Sequence, residues 1–206
     1  MNVLDLVAGL KLLGKRIILG YSSHQMLVAG CAGADAIASG TFMNVRAFPP
    51  EKFFIPPEED TRKLATWYYC PQTYSEFKLY MLDLARKMGI LGKMAPQKGF
   101  DEGYSKLLFG GAQPSTVGFK QGLSFRHYLS CLWTQARAMK FDTFDSSWAF
   151  FEKSLSEADK LLDSLHKVGI QGEDRDFRAA STATFGALQV LKKTRGAMLR
   201  RRWKSL

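Results

Sequence analysis

KRIILGYSSHQMLVAGCAGADAIASGTF, residues 15–42, is the stretch on which the fold turns. Residues 16–21 (RIILGY) form a short apolar run of strand length, and Ser22, Ser23 and His24 after it suit the start of a helix. That helix runs to Ala32 and ends at Gly33; residues 35–39 (DAIAS) read as a second strand. Upstream, Val3, Leu6, Val7, Leu10 and Leu13 follow helical spacing up to Gly14. The order helix, strand, helix, strand with short connections predicts two parallel strands.

Two strands do not close a barrel, which takes ~250 residues, and only residues 1–47 have this grammar. The expected class is α/β: the last β/α units of a (β/α)8 TIM-type barrel, followed by a mainly helical C-terminal half. The chain is then either the back part of a longer protein or takes its missing strands from a partner chain. Residues 48–118 read as an irregular and helical insertion, with a Pro-rich stretch, an acidic cluster at 58–60, a helix over 73–88 and a Gly-rich loop. Residues 119–206 read as a basic region of three helices, at about 119–139, 146–168 and 174–203.

The net charge of +10 is unevenly placed. Lys192, Lys193, Arg195, Arg200, Arg201, Arg202 and Lys204 crowd the last 16 residues with no acidic residue among them. Such asymmetry favours phosphate as a partner, with a merely solubilising end as the alternative. Cys31, Cys70 and Cys131 stand far apart, and His24, His127 and His166 lack ligand spacing, so neither disulfide, metal nor cofactor is expected. No apolar run reaches the ~20 residues of a membrane span, and a cytoplasmic location is expected.

Barrels hold ligands at the carboxyl ends of their strands, where backbone N–H groups and helix N-termini gather. Tyr21, Ser22, Ser23 and His24 occupy one such end; Ser39, Gly40 and Thr41 occupy the other. Each is either a ligand contact or an ordinary turn and cap residue. The aromatic run Trp67, Tyr68, Tyr69 suits core packing better than base stacking, and His127 reads as a surface or core-edge histidine or a phosphate contact.

Leu19-Gly20-Tyr21-Ser22, then Leu27, Gly33-Ala34-Asp35 and Arg46, resemble the closing β/α units of the tRNA-guanine transglycosylase superfamily, including the phage-type relatives that modify DNA with 7-deazaguanines. Phe125-Arg126-His127-Tyr128-Leu129 is similar to that family's helix after its zinc region. The resemblance implies base exchange on tRNA or DNA, a pocket bordered by Tyr21, Ser22, Ser23, His24, Ser39, Gly40, Asn44 and Arg46, and phosphate contacts from Arg126 and the tail. The chain departs from the family twice. Ala38 stands where the family carries its nucleophilic aspartate, and the cysteine-rich zinc motif is missing around Cys70. Exchange needs a carboxylate to hold the sugar covalently, so a non-catalytic subunit or fragment is the companion expectation. Its rivals are a nucleic-acid-binding subunit without enzymatic activity and a phosphate-ligand barrel fragment unrelated to nucleic acid.

Overall fold

The computed structural model describes residues 2–40, 46, 65–100 and 103–206. Helix α1 (Val3–Leu12) starts where the Asn2 side chain accepts the Leu4 N–H at 2.9 Å. Strand β1 (Ile18–Leu19) pairs in parallel with β2 (Ala36–Ile37), with Ile18 opposite Ala36 and Leu19 opposite Ile37. Between them lies a 3-10 helix (His24–Ala32) that ends on Gly33, whose φ of 82° is the left-handed turn a glycine adopts freely. The predicted order and parallel pairing are present. Among the described residues no sheet closes: the strands form two separate pairs.

The second pair corrects the helix expected over 73–88. β3 (Trp67–Cys70) turns at Tyr74, φ 49°, into an antiparallel β4 (Ser75–Lys78), and only Leu79–Lys87 is helical, as α2. Burial outweighs periodicity there. Tyr68, Tyr69, Ser75, Glu76 and Phe77 are all buried, and the Ser75 hydroxyl accepts the Phe177 N–H at 2.8 Å, tying the hairpin to the far end of the chain.

α3 (Gln121–Ala138), α4 (Phe144–His166) and α5 (Arg178–Arg202) complete the architecture. α4 is capped by Thr143, whose hydroxyl accepts the Ser146 N–H at 3.1 Å. Asp145 sits in the first turn and pairs with Arg200. Before α5, Asp176 accepts the N–H groups of Gly172 and Arg178 at 3.0 and 2.9 Å. Gly172 is obligatory by approach: a Cβ there would fall 2.9 Å from the Glu76 carbonyl oxygen.

One apolar core runs through these elements. Leu4 and Val7 of α1, Leu27 of the 3-10 helix, Phe77 of β4, Tyr128 of α3, Leu162 of α4 and Leu199 of α5 all belong to it. The short β1–β2 pair is therefore held against the C-terminal helices, with its strand ends beside α3.

Candidate nucleic-acid interface

At the carboxyl end of β1 the chain is shaped by its own polar groups. The Ser22 N–H donates to the Ala38 carbonyl at 3.1 Å, and its hydroxyl donates to the Leu19 carbonyl at 2.9 Å. Ser23 caps the 3-10 helix by accepting the Gln25 N–H. Both serines thus serve the turn. Tyr21, with φ 50°, is about half exposed. The Tyr128 hydroxyl accepts the buried His24 N–H at 3.0 Å and lies 3.4 Å from the Ser39 hydroxyl, so α3 joins both strand ends through one phenol. Gly40 follows Ser39 half-buried. Asn44 lies outside the described residues.

Arg46 is 6% exposed and part of a buried ionic cluster. Its guanidinium pairs with Glu76 Oε1 at 3.0 Å and lies 3.4 Å from the centre of the Tyr128 ring. Arg175 pairs with Glu76 Oε2 at 3.2 Å and stacks on Trp67 at 3.9 Å. His24 packs against Tyr69, and its Nδ1 stands 4.0 Å from Glu76 Oε1. Burial first, and then the Arg46 charge, push the His24 imidazole down to about 3, so it is neutral at physiological pH. These groups brace the strand ends from below.

Ala38 is exposed and engages only through its backbone, donating to Leu19 and accepting from Ser22. Asp35 is no substitute for the missing nucleophile. It sits at the opposite end of β2, where its carboxylate accepts the Ile17 N–H at 2.7 Å and the Lys11 ammonium at 2.9 Å. Burial works upward on this carboxyl, but those two donors outweigh it and hold it below its ordinary value. His127 is fully buried, 2.6 Å from the Tyr69 carbonyl oxygen, rather than at the surface or the edge of the core.

The open feature is a cleft of about 560 Å³ running from the end of β2 along α3, between Ile37 and Ser39 on one side and Arg126, Leu129, Ser130 and Trp133 on the other, with Tyr104 at its margin. Sequence reading singled out Ser39 and Arg126, and the structure brings them to this one cleft. It did not find Tyr104, Trp133, Arg137 or Lys140. Arg126, Ser130, Trp133 and Arg137 recur at i, i+4, i+7 and i+11, one stripe of α3 about 16 Å long. Trp133 is 57% exposed, and the Arg137 guanidinium lies 4.5 Å from its ring centre. Among the described residues lining the cleft there is no carboxylate.

A second cleft, about 530 Å³, shares Ile37 and Ala136 with the first and is lined by Lys140 and by Trp203 and Leu206 of the tail. The tail is not a free arm. It is the last part of α5, packed on α1 and α4. Arg195 pairs with Asp5 at 2.8 Å, Arg200 with Asp145 at 2.8 Å, and Arg202 donates to the Leu12 carbonyl. Lys192 lies over Trp148 at 3.4 Å. Lys193, Arg201 and Lys204 are exposed and make no ion pair among the described residues. Of the seven tail cations expected to meet phosphate, these three are the ones left exposed with neither an ion pair nor a side-chain hydrogen bond among the described residues.

Among the described residues no His/Cys/Asp/Glu group could hold a metal ion, and no helix is long and apolar enough to cross a membrane. No protein-family model, curated protein or solved structure matches this chain.

Proposed function

We propose that this chain is a nucleic-acid-binding component of a base-exchanging, transglycosylase-like system acting on tRNA or DNA, and that the attacking carboxylate comes from elsewhere. The observation that carries this reading is the Arg126, Trp133, Arg137 stripe beside a cleft whose described lining holds no carboxylate. An exposed indole offers a stacking platform for an unpaired base, and guanidinium groups at either side of it match the backbone phosphates. Lys140 and the unpaired tail cations extend the same electrostatic footprint. The two parallel strands, with the polar turn after each, support their assignment as the last β/α units of a barrel completed by further strands. Ala38 at the end of β2 supports a binding rather than a bond-breaking role.

The test is binding of tRNA and of duplex DNA to the full chain at about 50 and 200 mM salt. Trp133→Ala weakens binding by about 1–3 kcal/mol, the worth of one stacked base. Arg126→Ala lowers the log–log salt slope by about one. Binding that ignores both substitutions overturns the reading. Incorporation of labelled guanine by the chain alone overturns its non-catalytic part.

A further inference from the structure

α1 and α5 lie side by side and parallel: Asn2 bonds Ala187, Asp5 pairs with Arg195, and the Leu12 carbonyl receives Arg202. Along α1 and its C-cap, Val3, Leu6, Leu10 and Leu13 recur at i, i+3, i+7 and i+10, a stripe about 15 Å long. Val3, Leu6 and Leu13 are exposed, Leu13 at 73%, the most of any large apolar side chain among the described residues. On α5, Val190, Thr194, Ala197 and Met198 are exposed beside it. A groove of about 470 Å³ runs between the helices, lined by Leu6, Leu10, Leu13 and Met198 with Arg195 and Arg202.

The polar groups of this face are spent inside the protein. Arg195 closes on Asp5 at 2.8 Å, and Asp5 is the one acidic residue on either helix. The Thr194 hydroxyl lies 3.0 Å from Asp5 Oδ1 and 2.9 Å from the Val190 carbonyl oxygen. Arg202 donates to the Leu12 carbonyl at 2.7 Å. What stays available is apolar area and charge. Lys15 and Arg16, just past α1, and Arg201, at the end of α5, are exposed and make no ion pair among the described residues.

A nucleic acid or a specific protein partner is read through directional hydrogen bonds, and here they are already taken. An anionic lipid surface reads apolar area and cations, and needs no such bonds. Two copies meeting by this face would set like charges against one another. α5 alone exposes two large apolar side chains, Val190 and Met198, too few for an interfacial helix; α1 brings three more. We infer that the paired face of α1 and α5 docks on an anionic membrane surface, lying in the interface rather than crossing it. Leu6, Leu13 and Met198 enter below the headgroups, and Lys15, Arg16 and Arg201 meet their phosphates. The Trp133 stripe on α3 takes no part.

Co-sedimentation of the full chain with phosphatidylcholine vesicles, with and without phosphatidylserine, tests it. Vesicles containing phosphatidylserine retain the chain at least about tenfold better than neutral ones. Leu13→Gln and Met198→Gln each lower that retention about tenfold. Lys15→Glu lowers it by a similar factor, and Trp133→Ala leaves it unchanged. Circular dichroism verifies folding of the Leu13 and Met198 variants, whose exposed positions do not threaten it. Absence of retention overturns the inference. Retention indifferent to both apolar substitutions, or matched by binding to polyglutamate, reports charge alone and also overturns it. So does retention lost with Trp133→Ala, which assigns the lipid to the other cleft. A dimer in light scattering that Leu13→Gln dissociates gives the face to a second copy and overturns it too. Failure of tRNA and DNA binding in the separate salt experiment leaves the vesicle result untouched.

Discussion

The Tyr128 hydroxyl accepts the backbone N–H of His24 at 3.0 Å across 104 residues of chain. Through it α3 fixes the first residue of the 3-10 helix and, 3.4 Å away, the Ser39 hydroxyl at the end of β2. Tyr128→Phe keeps the ring beneath Arg46 but leaves a buried donor without its acceptor. The expected loss is about 1–3 kcal/mol in chemical denaturation, accompanied by weaker nucleic-acid binding as Ser39 loosens. Unchanged stability would show that the strand ends are held by the backbone alone.

Glu76 stands buried between Arg46 and Arg175. Removing its charge leaves the buried Arg46 guanidinium uncompensated. Glu76→Gln therefore destabilises by about 3–5 kcal/mol, read as a shift in denaturation midpoint. A loss below about 1 kcal/mol would mean that water reaches Arg46.

His24 makes stability depend on pH. Its folded value is about 3, against an ordinary 6.5, because burial and the Arg46 charge oppose protonation. The unfolded chain binds the extra proton first, so stability is full above 6.5 and falls as the pH drops from there toward 3. Between pH 7 and 5 the loss is about 2 kcal/mol. The neighbouring phenols do not blur this window: Tyr69 and Tyr74 are held above their ordinary values chiefly by burial. Denaturation curves at pH 5, 6 and 7 show the slope, and His24→Gln abolishes it.

The basic end of the chain is held by packing more than by charge. Leu199 is fully buried and the Trp203 indole donates to the Phe141 carbonyl at 2.8 Å. Leu199→Ala costs about 2–5 kcal/mol, whereas Arg200→Ala, at an exposed pair with Asp145 that solvent screens, leaves the denaturation midpoint nearly unchanged. Truncation after Val190 removes Leu191, Leu199 and Trp203 together and unfolds the protein. Phosphate binding by the tail is therefore measured with Lys193→Glu and Arg201→Glu, each expected to lower the salt slope while the melting temperature stays within a few degrees.

Much of the β/α segment is legible because its signals are local: Ser23 as cap, Gly33 as stop, and two short apolar runs. The hairpin is not, since Tyr74 adopts a left-handed turn without being glycine, inside a run whose periodicity fits a helix. Arg46 reads as a pocket residue in the sequence, but its partner Glu76 lies 30 positions away and Arg175, which shares that carboxylate, lies 129 away, and only the fold brings them together. Trp133 and Arg137 escaped notice because a single indole on a mixed helix carries no signal until one knows which face is exposed. The tail's charges are plain in the sequence, but Asp5 and Asp145, which engage two of them, are not.

α1 and α5 clasp along their length: the Asn2 amide donates to the Ala187 carbonyl, Asp5 meets Arg195, and Leu12 meets Arg202, pairs separated by 185 and 190 residues. A ribosome that adds about 5–20 residues per second makes the first helix wait roughly 10–40 s for its partner. During that interval Leu4, Val7 and Leu12 have no α5 to cover them. In that interval the newborn chain is open to misassociation along α1, and a chaperone that shields residues 3–12 until α5 has been made would raise the yield of folded protein.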